Sequence, residues 1–171
     1  IVLAVLTLAV IVVEIIVFFS ILFTGKYPRG PFNFVVGYVR WWLRVGAYVA
    51  LLRDEYPPFR LSDRNAPPHP VTLEVPYPQR LTRWKVLVKW LLAAPHWLIL
   101  YAFFAAGAQE WWVIGVPIAI IIVASFSIMA TGVYPRALYE LYVGIMRWQT
   151  RVVGYALLFW RDEYPPLRLA P

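Results

Sequence analysis

The sequence predicts an all-α integral membrane protein with three membrane-spanning helices and two interfacial amphipathic helices, related by a pseudo-twofold internal repeat. Three observations lead to this fold class. Of the 171 residues, 61% are hydrophobic and only 15% are charged, whereas roughly a quarter of the residues in soluble domains are charged. Three segments have the length and apolar character of a spanning helix, and one unit of the sequence occurs twice.

The spanning helices are predicted at residues 1–23, 84–106 and 111–130. About 20 residues are needed to cross a hydrocarbon core of about 30 Å at 1.5 Å per residue. The first segment carries a single charge, Glu14, and the third carries none. Residues 107–110 join the second and third segments, which predicts a helical hairpin.

The hexapeptide RDEYPP occurs at residues 53–58 and again at residues 161–166. In both places it ends a longer unit, in which an apolar helix, a TG-x-YPR turn and a second helix follow one another. The repeat spacing is 107 residues up to the second helix and 108 at RDEYPP, so one residue is inserted between them. Two copies of one supersecondary unit predict internal pseudo-symmetry.

The first repeat is predicted at residues 1–61, a Pro-rich cytoplasmic linker at 62–83 and the second repeat at 84–171. Within the first repeat no helix corresponds to residues 84–106. We therefore expect a fourth spanning helix ahead of Ile1 in the full protein. The repeated interfacial turns contain Tyr27, Pro28 and Arg29 in the first copy and Tyr134, Pro135 and Arg136 in the second.

The second helix of each repeat, predicted at 31–52 and 137–160, carries two arginines near its middle. Burying such a pair at the bilayer centre would cost about 5–7 kcal/mol, which favours helices lying at the membrane surface. The alternative is a spanning helix with its arginines against a partner. The candidate residues for binding lipid headgroups or a partner are Arg40, Arg44, Arg147, Arg151, Trp41 and Trp148.

The formal net charge is +7, and the basic residues cluster beside the apolar segments. Such a cluster suits the cytoplasmic flanks of membrane helices and anionic lipid headgroups better than nucleic acid. By the positive-inside rule both RDEYPP segments lie on the cytoplasmic side. We interpret RDEYPP as a helix stop at the membrane surface, with a docking epitope for a partner as the alternative. The flanking basic residues are Lys26, Arg29, Arg80, Arg83, Lys85 and Lys89.

Several of these segments resemble a known family. They are TGKYPRG, VVGYVRWWLRVGAYVALLRDEYPPF and YPQRLTRWKVLVKWLLAAPH, together with their second-copy equivalents. The combination resembles bacterial integral membrane proteins classed as a domain of unknown function. The resemblance implies a multi-pass protein of the bacterial cytoplasmic (inner) membrane with two related halves, and it implies no activity.

Two polar residues lie within predicted spans. Glu14 is ten residues before Thr24 and His96 is eleven residues after Lys85, so both are expected about 15–16 Å from the same face. An ionisable residue in mid-membrane is a functional-site hypothesis, and we predict Glu14 and His96 as an intramembrane polar pair. The alternatives are a structural hydrogen bond or a protonated acid at Glu14, and a buried, hydrogen-bonded imidazole at His96.

The sequence contains no phosphate-binding loop, zinc-type histidine cluster or nucleophile elbow, and it has no cysteine. We therefore expect no catalytic or metal-binding residues and no cofactor. The predicted function is that of a non-enzymatic accessory subunit that binds membrane lipids and other membrane proteins. Two alternatives remain: a small transporter or amphiphile-handling protein, and a subunit of an electron- or light-transfer complex that binds haem or chlorophyll through His96.

Overall fold

A computed structural model of the chain describes residues 2–62, 71–105 and 115–169. In these ranges the protein is all-helical and contains no strand, which confirms the predicted all-α class. The six helices are α1 (Val2–Thr24), α2 (Arg29–Val49), α3 (Lys85–Leu92), α4 (Ala94–Ala105), α5 (Val116–Thr131) and α6 (Arg136–Ala156). The predicted loop 107–110, the start of the predicted helix 111–130 and most of the first half of the linker lie outside the described residues.

Within the described ranges, two helices are long and apolar enough to cross a membrane: α1, and the stretch Lys85–Ala102 formed by α3 and α4. Most of the α1 surface is exposed apolar side chain, and only Val10, Val17 and Ile21 are buried in it. A soluble monomer rarely exposes an apolar surface of this extent. Helix α5 is also apolar but is shorter, at 16 residues.

The predicted helix 84–106 is interrupted at Ala93, two residues before Pro95. Proline has no backbone N–H, so the Leu91 carbonyl cannot receive the usual helical hydrogen bond from residue 95. The Ala93 N–H still donates to the Lys89 carbonyl at 2.9 Å, and the Trp97 N–H donates to the Ala93 carbonyl at 2.9 Å. The two helices therefore follow each other with a local disturbance close to the proline.

Helices α2 and α6 begin directly after Pro28 and Pro135, whose backbones are extended. They end three and four residues earlier than the predicted ends at 52 and 160. Each end is followed by a residue in the left-handed conformation, Leu51 with φ 59° and Phe159 with φ 51°. An L-residue adopts this conformation at a cost, so the reversal of the chain, and not the later proline pair, ends each helix.

The inserted residue of the second repeat lies at this helix end. Leu51 comes two residues after the last residue of α2, whereas Phe159 comes three after the last residue of α6. Equivalent hydrogen bonds close both ends: the Leu52 N–H donates to the Ala47 carbonyl at 3.0 Å, and the Trp160 N–H donates to the Gly154 carbonyl at 2.8 Å. The two copies thus reach the same arrangement with loops that differ by one residue.

The two TG-x-YPR turns also share their backbone geometry. Gly25 and Gly132 have φ of 69° and 70°, and each donates its N–H to the residue four positions earlier, at 2.8 Å in both turns. Only glycine adopts this conformation without a steric penalty, so both turns require it.

The buried core joins both repeats. Its largest cluster contains residues of α1, α2 and α3 together with Leu158, Phe159 and Trp160. A second cluster packs the end of α2 against α5 and α6, and two smaller clusters pack Ala93 and α4 against α6. Helix α6 therefore has packed neighbours on several sides.

We expect Gly37→Ala to destabilise the fold. A Cβ at Gly37 would lie 2.1 Å from the Leu61 carbonyl oxygen, whereas nothing lies within 4 Å of a Cβ at Gly30. The substitution at Gly37 is expected to cost about 1–3 kcal/mol, and Gly30→Ala is expected to be neutral or stabilising by up to about 1 kcal/mol. Thermal unfolding of both variants in one detergent checks this, and equal midpoints would contradict the close approach of residue 61.

Candidate functional site

A cavity of about 910 Å³ lies between α2 and α6. Residues 71–75 of the linker and the segments that follow α2 and α6 form its other boundaries. Helix α2 contributes the apolar side chains of Leu43 and Ala47 to the wall, and α6 contributes several side chains, among them Tyr142 and Met146. The two helices approach closely at this level, because a Cβ at Gly46 would lie 3.2 Å from the Met146 side chain.

The charged lining of this cavity is predominantly basic. Five arginines stand against two glutamates, Glu74 and Glu163, which leaves a formal charge of +3. The five are Arg53, Arg147, Arg151, Arg161 and Arg168. A cavity whose wall combines apolar side chains with guanidinium groups has the chemistry to hold an anionic amphiphile.

Arg151 connects two walls of the cavity. Its Nη2 donates to the Arg168 carbonyl at 2.8 Å, which ties α6 to the C-terminal segment. Burial lowers the pKa of the Arg151 guanidinium, and neighbouring positive charges lower it further, namely those of Arg168, Arg147 and Arg161. Because arginine stays protonated in proteins, this crowding of like charges favours a bound anion.

The structure divides the predicted arginines between two environments. Arg147 and Arg151 line the cavity, whereas Arg40 and Arg44 do not. The Arg40 Nε donates to the Leu73 carbonyl at 2.9 Å and so holds the linker on α2, and Arg44 is buried. The sequence places two arginines near the middle of each helix and could not show that the linker would be held by Arg40 of one pair.

The two predicted tryptophans are both buried, and each contacts a different ring. Trp41 meets the ring of Phe59 edge-on, with centroids 4.9 Å apart. Trp148 meets the imidazole of His96, with centroids 5.7 Å apart. Neither tryptophan lines the cavity. Although the two residues are equivalent in the repeat, one contacts a phenylalanine and the other a histidine.

Glu14 has a hydrogen-bonding partner, but it is not His96. The Tyr27 hydroxyl donates to the Glu14 Oε1 at 2.8 Å, and the Tyr77 hydroxyl donates to the Tyr27 carbonyl. Tyr27 is fully buried, and burial followed by the Glu14 charge raises the pKa of its hydroxyl. Arg29 of the same turn lies 5.4 Å from the centre of the Tyr77 ring, so the linker covers the first YPR turn.

His96 lies elsewhere in the structure. Its imidazole is fully buried and contacts the rings of Trp148 and Tyr164 with centroids 5.7 and 5.0 Å away. The Pro165 carbonyl approaches the imidazole, but outside good hydrogen-bond geometry. The predicted Glu14–His96 pair is therefore not formed, because Tyr27 satisfies Glu14 while α4 directs His96 towards α6. Because the imidazole is fully buried, axial ligation of haem or chlorophyll would require neighbouring side chains to move.

The contact that sequence reasoning missed is an ion pair at Lys89. This lysine was grouped with the basic flanks, yet its side chain is 0% exposed and its Nζ lies 2.9 Å from the Asp162 Oδ1. The same Nζ donates to the Arg161 carbonyl and lies 5.4 and 5.9 Å from the ring centres of Tyr155 and Phe159. The Thr82 N–H donates to the Asp162 Oδ2 at 2.7 Å. The sequence did contain a signal for this ion pair, namely a lysine inside an apolar helix together with a repeated acidic motif.

The second RDEYPP segment is therefore a docking element within the chain. Asp162 meets α3, and Tyr164 meets His96 of α4. In the first copy the Arg53 Nη2 pairs with Glu55 of the same segment at 2.5 Å. The second YPR turn differs from the first as well, because Arg136 is exposed and pairs with Glu140 of its own helix at 2.8 Å.

Comparison with known proteins gives one similarity. A family model described as a domain of unknown function (DUF4389) matches residues 1–60, which include α1, α2 and the first RDEYPP segment. No curated protein and no solved structure matches the chain. Within the part of the chain that the structure describes, no group of three His, Asp or Glu side chains could hold a metal ion.

We expect the Lys89–Asp162 contact to weaken in acid. Burial by itself would raise the pKa of Asp162, but the hydrogen bonds from Lys89 and Thr82 and the lysine charge lower it below its ordinary value of 3.8. A carboxylate whose pKa is lower in the folded protein contributes stability that is present above the ordinary value and is lost as the pH falls through the folded value.

Asp162→Asn is accordingly expected to cost about 3 kcal/mol at neutral pH, because it leaves a buried ammonium without its anion. The difference from the unsubstituted protein should shrink below about pH 4. Asp54→Asn, at the equivalent exposed position of the first repeat, is the matched control and should be neutral. Thermal midpoints measured from pH 7 to pH 3 check this, and a difference that is independent of pH would refute it.

Proposed function

We propose that this protein is a non-enzymatic, multi-pass subunit of the bacterial cytoplasmic membrane that binds an anionic lipid and associates with other membrane proteins. The arginine-lined cavity between α2 and α6 is the observation that carries the proposal. Its wall offers guanidinium groups to a phosphate and apolar side chains to acyl chains. The similarity of residues 1–60 to a domain of unknown function is compatible with this role and assigns no activity.

The proposed membrane arrangement follows from where apolar surface is exposed. In α1 the side chains of Val5, Leu8 and Phe23 are exposed, and lipid is the solvent that suits them. We propose that α1, the α3–α4 stretch and the helix containing α5 span the bilayer. Helices α2 and α6 then lie at its surface, because their arginines would be costly at the bilayer centre.

A lipid would occupy the cavity with a defined orientation. Its phosphate would lie beside Arg147 and Arg168, since guanidinium groups bind phosphate oxygens in a bidentate way. Its acyl chains would follow the apolar wall near Leu43 and Met146 towards the bilayer. The ligand would relieve the repulsion among the crowded arginines, so binding would also stabilise the contact between the two repeats.

We expect the double variant Arg147→Gln, Arg168→Gln to lose affinity for phosphatidylglycerol. Each basic residue contributes about 1 kcal/mol to the binding of an anionic headgroup, so the two together should change the dissociation constant about 30-fold. The control is Arg60→Gln, Arg136→Gln, which removes the same charge from exposed residues outside the cavity. Native mass spectrometry of lipid retained in mild detergent measures the effect, and an equal loss in both double variants would contradict a specific site.

The proposed topology has its own test. The chain contains no cysteine, so single cysteines at Glu55, Glu163 and Gln109 can be labelled without background. We expect a membrane-impermeant maleimide to label the first two from the cytoplasmic side only and the third from the opposite side only. Labelling of Glu55 and Glu163 positions from opposite sides would show that α2 or α6 spans the membrane.

The same cavity favours amphiphile handling as a second candidate function. A structural lipid stays bound through purification, whereas a handled amphiphile exchanges with the surrounding membrane. Transfer of fluorescent phosphatidylglycerol between vesicles that contain the protein would support handling, and retention of the purified lipid without transfer would support the accessory role.

A further inference from the structure

The two repeats present the same face to different surroundings. Tyr155 and Phe159, beside the second RDEYPP segment, are 3% and 8% exposed. Their equivalents beside the first segment, Tyr48 and Leu51, are 36% and 42% exposed. A face that is buried in one copy is therefore uncovered in the other among the described residues.

Helices α3 and α4 provide the cover in the second repeat. Lys89 pairs with Asp162 at 2.9 Å, and the imidazole of His96 lies against the rings of Trp148 and Tyr164. The lysine and the histidine are seven residues apart, so both lie on one side of the helical stretch. This contact shows which side chains the face accepts.

The uncovered face of the first repeat has the same internal geometry. The rings of Tyr48 and Tyr56 meet edge-on with centroids 5.6 Å apart and an angle of 79°. The equivalent rings of Tyr155 and Tyr164 are 5.8 Å apart at 73°. Asp54, the counterpart of Asp162, is exposed. The first RDEYPP segment is thus already arranged to accept a helix.

For the YPR turns the situation is reversed: the turn of the first repeat is covered and the turn of the second repeat is not. The linker covers the first turn, where the Leu81 N–H donates to the Gly25 carbonyl at 3.0 Å and side-chain and backbone atoms lie 3.4 Å from a Cβ built at Gly25. Nothing lies within 4 Å of the Cβ position at Gly132 in the second turn, and Val133 beside it is exposed. One continuous segment, residues 77–105, therefore covers the turn of the first repeat and the RDEYPP face of the second.

We propose that a second segment of this type, from outside the 171 residues, docks on the two faces that remain uncovered. Its chemistry is set by residues 77–105: a Tyr-Pro-x-Arg turn, followed by an apolar helix with a lysine 12 residues after the tyrosine (77 to 89) and a histidine 19 residues after it (77 to 96). The lysine binds Asp54, and the imidazole lies between Trp41 and Tyr56. The Tyr-Pro turn contacts the turn at Gly132.

One side chain has to move for this segment to dock. Phe59 now contacts Trp41, at the place that His96 occupies against Trp148 in the second repeat. Leu167, the counterpart of Phe59, is exposed and leaves that place to the histidine. Phe59 thus covers Trp41 in the absence of the docking segment, and the arriving helix would displace the Phe59 side chain.

This inference deepens the partner-binding part of the proposed function, but it uses none of the residues tested in the cavity. Asp54, Tyr56 and Trp41 do not line the cavity. A negative result in the lipid test would therefore not argue against the docking site, and a negative result in the docking test would not argue against the lipid site.

The test uses a synthetic peptide of residues 76–105 added to the purified 171-residue protein in detergent micelles. We expect one peptide to bind per chain and Asp54→Asn to weaken binding about tenfold, because it removes the anion that the lysine meets. Glu55→Gln is the matched control, since it removes the neighbouring carboxylate and should change the affinity less than about twofold. Protein with Asp54→Lys should bind the peptide with Lys89→Asp better than it binds the unaltered peptide.

Cross-linking distinguishes docking at the first repeat from exchange with the chain's own helices. A benzoylphenylalanine at position 56 should capture the peptide, whereas one at position 164 should capture α4 of the same chain. Capture of the peptide only from position 164 would overturn the proposal, as would binding that is unchanged by Asp54→Asn. Absence of binding to the intact protein would overturn it too.

Discussion

The ammonium group of Lys89, fully withdrawn from water in an apolar helix, is the constraint on which the rest of the structure depends. A buried cation without an anion would cost several kilocalories per mole, so the helix has to lie where a carboxylate can reach it. Asp162 provides that carboxylate, the Arg161 carbonyl provides a second acceptor, and the rings of Tyr155 and Phe159 surround the group. This requirement fixes α3 against the end of α6 and directs the following helix, with His96, onto the aromatic face of α6.

The arrangement around Lys89 also determines where the cavity forms. Because α3 and α4 cover one side of α6, the side that carries Arg147 and Arg151 faces α2 and the linker instead. Arg40 of α2 holds the linker through the Leu73 carbonyl, and Arg44 is buried. Equivalent arginines therefore have different roles, two in the wall of a cavity and two in the packing that bounds it. Crowded guanidinium groups in a partly apolar cavity favour an anion, and this electrostatic argument supports a lipid ligand.

The repeat supplies two copies of a unit, and each copy uses a different part of it. Tyr27 of the first turn donates to Glu14, whereas the position of Glu14 in the second copy is Ile121 and the Tyr134 hydroxyl has no partner among the described residues. The second RDEYPP segment binds α3 and α4, whereas the first remains exposed with its aromatic pair already formed. The two copies differ in this way because a single segment, residues 77–105, contacts the turn of one copy and the RDEYPP face of the other. It leaves the complementary pair of faces available.

The sequence by itself determined the helical class, the positions of α1, α2 and α6 within a few residues, and the repeat with its inserted residue. These features are local, because hydrophobic runs, glycine turns and proline act over a few residues.

The tertiary structure alone decided which side chains contact one another. The sequence places two arginines near the middle of each of these helices, but only packing showed that Arg40 of one pair holds the linker and that a cavity lies beside the other pair. Depth along the helices predicted a Glu14–His96 pair, yet the direction of each side chain depends on helix rotation and neighbours, which placed Glu14 with Tyr27 and His96 with aromatic rings. Lys89 was apparent as a charge, and only the fold showed that an aspartate 73 positions later in the chain (89 to 162) balances it.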